Sequence, residues 1–487
     1  MKFVVRFFQE ISIKIKPVRK RKVKQLSTNV KKILLRLDED IQIQTTWDNL
    51  QIKSMLEENE KNSSEMISVL SRIPGIAHFN YVQEFKYEDF HTAYEQTKLH
   101  YEKLIEGKTF RVRCKRTGHH DFGSLDIEKY IGGGLNQNCN TNGVKLKNPD
   151  VTVLLELKDD KFYVVTEKVA GLGGYPLGSQ DTVMTLVSGG FDSGVAAYKI
   201  LARGMRTHFL FFNLGGNAHE IGVKQVSKYI WDQYGSSHRC RFISVPFEGV
   251  VEELLTNVEN SQMGVILKRM MYRAADKICD QYETLCFVTG EAVAQVSSQT
   301  LQNLHVIDSV TNKLVLRPLI TSDKQVIIDE ARKIGTDKFA ETMPEYCGVI
   351  SKKPTTKARF DKIEREEGNF DFAVLEKAIN DAVHENIDEL EENIKEMAQL
   401  DVIEFDDLPK DYVILDVRHP DEVDDRPLVV ESHEVLEVPF FSLKREFLKL
   451  DAQKTYALFC EKGVMSKLHA MYLIDEGATN VVVVKAK

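Results

Sequence analysis

The sequence contains no CxxC pair. Its seven cysteines stand apart at 114, 139, 240, 279, 286, 347 and 460, which excludes zinc-ligand spacing and argues against a secreted disulfide framework. Nor is there any apolar run near the ~18–20 residues that a membrane helix requires. The N-terminal MKFVVRFFQEISIKIK begins apolar, but Arg6 and Glu10 interrupt it well short of a signal-peptide core. A cytoplasmic protein without a membrane span is therefore expected. A large charge excess is also missing. The net charge of −8 is the difference between 65 basic and 73 acidic residues in 487, so the total carries no nucleic-acid signature.

What is present is unevenly distributed. KIKPVRKRKVK, residues 14–24, holds seven basic residues in eleven, whereas residues 384–411 are rich in Asp and Glu. A basic patch at one end can bind a phosphate backbone while the remainder keeps the chain dissolved. Lys20, Arg21 and Lys22 are the candidates within this run. The length implies roughly three or four domains at ~100–200 residues each.

A second absence is chemical. TLVSGGFDSGVAA, residues 185–197, runs from an apolar strand through Ser188-Gly189-Gly190 into a helix opening at Asp192-Ser193. Glycines let backbone N–H groups crowd an anion, and the helix N-terminus adds partial positive charge. A Walker loop would place a Lys within the motif, and none is there. SGG-x-DS after a strand resembles instead the PP-loop ATP pyrophosphatases, in which the β and γ phosphates leave together as pyrophosphate. Lys268 in GVILKRMMYRAA could supply the missing cation, with Arg269 as the neighbouring competitor. Gly290 and Gln299 in VTGEAVAQVSSQT follow an apolar strand; glycine permits close backbone approach to an adenine or ribose, and the amide can hydrogen-bond it.

Periodicity divides the chain further. Residues 1–75 read β-α-β-β-α-β, with Val23, Leu26, Val30, Ile33, Leu34 and Leu37 at helical spacing, which suits a ferredoxin-like domain with its basic segment beside the first helix. Residues 76–167 form an α+β unit. In FRVRCKRT, Phe110, Val112 and Cys114 alternate with Arg111, Arg113 and Lys115, followed by Arg116, a cationic row on one side of a sheet. IEKYIGGGLNQN predicts a helix ending at its glycines, and Asp159-Asp160 a hairpin turn. GLGGYPLGS lies in a linker, 168–179. From 180 to 395 strands and helices alternate, the pattern of a doubly wound parallel sheet whose ligands sit beyond the strands' C-terminal ends. Residues 404–487 are again β/α.

In LFCEKGVMSKLHA, Cys460 ends a strand and is followed by a short loop into a helix. That setting favours an anion on sulfur, and a persulfide equally. With Asp416 and Arg418 in YVILDVRHPDEV, the segment resembles rhodanese sulfurtransferase domains, although Lys462 and Lys467 stand where rhodaneses often carry Arg. Lysine is a point charge rather than a planar fork. Cys347, in TMPEYCGVISKKPT, is placed on a surface loop by Pro344 and Gly348, from which its thiol could attack a persulfide on Cys460. The other five cysteines have no such setting and are expected to be structural.

The order of basic ferredoxin-like unit, THUMP-like unit, SGGFDS loop and rhodanese-like unit, with FNLGGNAHEIGVKQV, GVILKRMM, VTGEAVAQVSSQT and TMPEYCGVIS, resembles the tRNA 4-thiouridine synthetases over the whole chain. The resemblance implies an α/β multidomain enzyme in which ATP adenylates the uracil C4 oxygen at the eighth nucleotide of tRNA and sulfur displaces AMP. Adenine would meet Leu186 and Val187 near Gly290 and Gln299, and phosphates would meet Ser188, Gly189, Gly190, Asp192, Ser193 and Lys268. Asp192 would be a magnesium or catalytic contact. Cys460 would take persulfide sulfur from a cysteine desulfurase and Cys347 would resolve it, leaving a Cys347–Cys460 disulfide for a reductant to reopen. The resemblance extends to sulfur delivery toward the thiamine thiazole through a sulfur-carrier protein; a homodimer is compatible with all of this. Two other functions compete: a PP-loop ligase forming amides, and an RNA-binding chaperone with a degenerate ATP site. The first has no use for Cys460 in an anion-holding loop, and the intact SGG-x-DS loop argues against the second.

Overall fold

In a computed structural model, the described residues are 1–214, 216–341, 343, 353–391, 402–418, 422–423, 426–428, 430, 432–460 and 464–485. They form two compact units, Met1–Gln180 with Ala202–Gly204, and Asp181–Leu201 with Met205–Lys487.

The first unit is one seven-stranded sheet. In chain order it contains β1 (Lys2–Phe7), a short α1 (Gln9–Ser12), α2 (Lys16–Leu34), β2 (Gln42–Thr45), β3 (Asn49–Lys53), α3 (Glu60–Ser71), β4 (Ile76–Lys86), α4 (Phe90–Ile105), β5 (Phe110–Thr117), α5 (Ser124–Asn138), β6 (Val151–Lys158) and β7 (Lys161–Ala170). The strand order is β2-β3-β1-β4-β7-β6-β5. β4 pairs with β1 on one side and β7 on the other, so the strand that opens the second sequence unit also completes the β-α-β-β-α-β sheet of the first. All four long helices cover one face. Phe3, Val5 and Phe7 pack there with Val23, Leu26, Val30 and Leu34 of α2, and Phe110, Val112 and Cys114 pack with Ile127, Ile131 and Leu135 of α5.

Two local expectations change. α5 does not stop at its glycines but continues through them to Asn138. A Cβ on Gly134 would lie 2.7 Å from the Tyr94 ring, so the glycine serves close packing of α5 on α4 rather than termination. The basic run lies in the opening turns of α2, not beside it. The hairpin at Asp159-Asp160 is present, with Asp159 in the left-handed region at φ 53°.

The second unit holds two sheets. The first contains β8 (Val183–Val187), α6 (Phe191–Ala202), β9 (Thr207–Asn213), α7 (Gly216–Ile230), β10 (Arg241–Pro246), α8 (Glu248–Asn257), α9 (Met263–Gln281), β11 (Cys286–Val288), α10 (Leu301–Asp308), β12 (Leu314–Leu316), α11 (Lys324–Ile334), α12 (Asp337–Ala340), α13 (Phe360–Glu367), α14 (Phe372–Asn380) and β13 (Val383–Asn386). Its order is β12-β11-β8-β9-β10-β13, with only β13 antiparallel. Met184, Leu210, Ile243 and Phe287 face a core built with α8, α9, α10 and α14. On the opposite face Phe211 meets His219 of α7 edge-on. β8 and β11 are adjacent and parallel but far apart in the chain, which makes their C-terminal ends the topological switch point where such sheets bind ligands.

The last sheet contains β14 (Val402–Glu404), β15 (Val413–Asp416), β16 (Val435–Glu437), α15 (Phe440–Phe447), β17 (Tyr456–Phe459), α16 (Val464–Asp475) and β18 (Val481–Lys485). It is parallel throughout, in the order β14-β18-β17-β15-β16. α16 packs along α7 of the neighbouring sheet. Among the described residues no helix is long and apolar enough to cross a membrane.

Candidate functional site

The glycine loop lies at the switch point. Leu186 and Val187 end β8; Val187 is buried and Leu186 packs against the core. Gly189 takes φ 82°, the left-handed region that favours glycine, and opens the turn. Ser193 in the first turn of α6 closes it: its hydroxyl donates to the Gly190 carbonyl (3.1 Å) and accepts from the Ser188 N–H (3.3 Å). Gly290, just past β11, meets this turn directly. A Cβ there would lie 2.7 Å from the Asp192 carbonyl carbon and 2.8 Å from the Ser193 nitrogen, so its nearest neighbour is the loop's own backbone.

Asp192 has a partner that sequence reading missed. Lys324 Nζ, at the first residue of α11, donates to both carboxylate oxygens at 3.0 and 3.1 Å. With its amide turned to match these partners, the Gln295 carboxamide bridges the pair, its N donating to Asp192 Oδ2 (3.3 Å) and its O accepting from Lys324 Nζ (3.0 Å). A lysine at a helix N-terminus opposes the macrodipole, and that misfit after TSD was the available signal. Lys324 thus brings the cation that the loop lacks to its rim. His219 Nε2 donates to the Ser188 carbonyl at 3.2 Å, and burial pushes its pKa down to about 4. Met343 lies over the loop from the other side, for a Cβ on Gly189 would be 2.8 Å from its Sδ.

Lys268 reaches the same region from α9, 3.6 Å from Glu291. Glu291 is 3% exposed and accepts from Tyr272 Oη (2.8 Å), Thr289 Oγ1 (2.9 Å) and Arg317 Nε (2.9 Å). Burial alone would raise this carboxyl, but Lys268 and Arg317 hold it below the ordinary range. Arg317 also forks onto Asp308. The competitor Arg269 is committed elsewhere: buried, it forks onto Glu367 at 2.6 and 2.8 Å and donates to the Val306 carbonyl. Gln299 turns its Oε1 toward the Ala292 N–H (3.4 Å), and its carbonyl holds Ala294 at φ 64°.

Cys460 follows β17 and is buried. Its Sγ accepts from the Ser466 N–H in the first turn of α16 (3.2 Å) and its thiol donates to Ser466 Oγ (3.3 Å). Asp416 and Arg418 form a buried fork at 2.6–3.1 Å, which braces the neighbouring end of β15. Cys347 and Lys462 lie outside the described residues, and with them the expected Cys347–Cys460 pairing. Cys114, Cys240, Cys279 and Cys286 are buried free thiols and Cys139 a half-buried one. Burial raises the pKa of Cys114 to about 12 and of Cys279 to about 11.

In the first unit, Arg113 and Lys115 alternate along β5 with its buried residues, and Arg113 also donates to Glu128 of α5 at 3.0 Å. They line a concavity of about 570 Å³ together with Arg6, His78 and Lys168, which strand pairing brings from β1, β4 and β7, and Arg19 from α2. Glu156 partly balances it, accepting from Arg6 at 3.1 and 3.2 Å. Arg111 donates to Thr152 and the Leu146 carbonyl, and Arg116 to the Gly118 carbonyl. Lys20 and Arg21 are exposed. Lys22 is not: it is buried, with Nζ 4.4 Å from the Tyr175 ring centroid.

Family models match three segments: the one described as ThiI ferredoxin-like domain at residues 2–80, THUMP domain at 87–167, and Thiamine biosynthesis protein (ThiI) at 178–372. The tRNA sulfurtransferases of Aeromonas salmonicida (strain A449) and Colwellia psychrerythraea (strain 34H) are each 51% identical over 482 residues, 99% of both this chain and theirs. A solved 4-thiouridine synthetase–RNA complex with bound ATP superposes with TM-score 0.69 at 26% identity, covering 79% of this chain and 99% of that one. With the phosphate loop, the basic sheet face and full-length kinship in agreement, the chain belongs to the tRNA sulfurtransferase family.

Proposed function

We propose that this chain uses ATP to adenylate O4 of the uracil at the eighth nucleotide of tRNA, releasing pyrophosphate, and replaces that oxygen with sulfur carried on Cys460. The single observation that carries the reading is the lysine-free loop at Ser188–Ser193, with Lys324 of one helix bonded to its Asp192 and Lys268 of another paired with Glu291 beside Gly290. Backbone N–H groups of Gly189, Gly190 and Ser193 would hold the outer phosphates as one leaving unit, with Lys268 and Lys324 neutralising the charge that develops on it. Leu186 and Val187 would flank the adenine, and Gln299 would bond its edge.

Magnesium fits this donor set in one way. Among the described residues no group of three or more acidic, His or Cys side chains could hold a metal, whereas Mg²⁺ typically binds one or two carboxylates plus substrate phosphates. Asp192 would be that carboxylate, and the ion would supply charge neutralisation when bound.

Sulfur then moves without net loss of electrons. The outer sulfur of the Cys460 persulfide attacks C4, and AMP departs with the former O4. The Cys347 thiolate attacks the Cys460 sulfur, a Cys347–Cys460 disulfide forms, and 4-thiouridine leaves with both electrons of the broken S–S bond. A cysteine desulfurase supplies the persulfide, and a dithiol reductant reopens the disulfide. Transfer to a sulfur-carrier protein for the thiazole would use the same Cys460. Arg113, Lys115, Lys20 and Arg21 would contact tRNA phosphates, and the folded RNA would be selected by shape. The test is mass spectrometry of tRNA sulfur in Cys347→Ser, Cys460→Ser and Asp192→Ala variants: each should lack 4-thiouridine, and normal thiolation by Asp192→Ala would refute the adenylation role.

A further inference from the structure

The phosphate loop and Cys460 are joined by a packed crossing that neither nucleotide binding nor thiol chemistry requires. α7 touches the loop through His219 and Ser188. One turn later, at Gly222, it is crossed by α16, the helix whose Ser466 N–H faces Cys460 Sγ. At Gly222 there is no room for a side chain: a Cβ there would lie 2.9 Å from Met343 Sδ and 3.6 Å from Tyr472 Oη. Tyr472 Oη in turn donates to Met343 Sδ at 3.6 Å, and that same Met343 side chain rests on Gly189 of the phosphate loop.

The six steps along the helix from Ser466 to Tyr472 span only about 9 Å. The helix that holds the sulfur-bearing cysteine is therefore seated on the element that braces the nucleotide loop, within one chain. Met343 has no acid–base group, the Tyr472 hydroxyl turns toward Met343 Sδ, and both sit where one helix must find another.

We infer that Tyr472 and Met343, closing over Gly222, form a docking seat that presents Cys460 to the phosphate loop of the same polypeptide, so that sulfur is delivered in cis. Tyr472 acts as a positioning residue. The inference rests on the proposed function and adds to it the route of delivery.

Two experiments on the full chain test it. In the first, thiolation of tRNA with ATP is driven either by persulfide loaded onto Cys460 by a desulfurase or by sodium sulfide, whose hydrosulfide attacks the adenylated C4 directly. Tyr472→Ala should lower the persulfide-driven rate by about 10²-fold, as misplacement of a reacting group does, with Cys460 persulfide loading and the sulfide-driven rate unchanged. Tyr472→Phe, which keeps the ring packing, should recover most of the rate. An unchanged persulfide-driven rate, or equal loss in both assays, overturns the docking role. In the second, Cys460→Ser and Asp192→Ala chains are mixed. Continued inactivity supports delivery in cis, and restored thiolation overturns it. Sulfide-driven thiolation by the unaltered chain without ATP would instead refute the adenylation reading, so the two failures are separable.

Discussion

At the scale of single residues, the loop is held by groups that are neutral or paired before nucleotide arrives. Lys324 touches both oxygens of Asp192, so Lys324→Met should cut tRNA-dependent AMP formation by about 10²–10³-fold, the range for removing one preorganised electrostatic contact; filter binding should find tRNA affinity unchanged. His208, His219 and His469 are held neutral by burial, each with a pKa of about 4 against 6.5 for the free side chain. Between those values the unfolded chain binds more protons than the folded one. Their contribution to stability is complete above pH 6.5 and is lost as the pH falls toward 4, up to about 3 kcal/mol for each. Urea midpoints of the second unit should drop over that window, and His219→Gln should flatten the slope; a midpoint independent of pH would contradict this. The SGG-x-DS loop was legible because its parts are contiguous, whereas Lys324, 132 residues from Asp192, is joined to it only by the parallel sheet.

At the scale of elements, burial decided what pattern could not. In α2 the basic run contains both exposed Lys20 and Arg21 and buried Lys22, because one face of a helix must pack whatever its charge. Lys22→Met should therefore alter thermal stability while leaving the salt dependence of tRNA binding unchanged. Lys20→Glu with Arg21→Glu should weaken binding and lower that dependence. The glycines of α5 read as a helix stop in sequence, since the Tyr94 ring that Gly134 accommodates lies on another helix. Glu291 carries the heaviest load of any single carboxylate near the loop, with Tyr272, Thr289, Arg317 and Lys268 all upon it. Glu291→Ala leaves buried partners uncompensated and should cost about 3–5 kcal/mol in urea unfolding; a cost below about 1 kcal/mol would show that the network is dispensable.

At the scale of the whole molecule, the fold classes were legible because helix and strand periods switch clearly along the chain. What the sequence did not display is that one strand, β4, belongs to both halves of the first sheet, since pairing of both edges is a property of register rather than composition. The basic concavity on that sheet predicts tRNA affinity that falls steeply with salt and survives Cys460→Ala, because the thiol and the basic residues proposed to contact tRNA lie in different units.

The central claim, that the outer two phosphates leave together to activate a base oxygen, is tested most directly by following radiolabelled ATP with unmodified tRNA and a sulfur source. The account predicts AMP and pyrophosphate, formed only with tRNA and in step with 4-thiouridine. Conversion to ADP and phosphate alongside thiolation would contradict it.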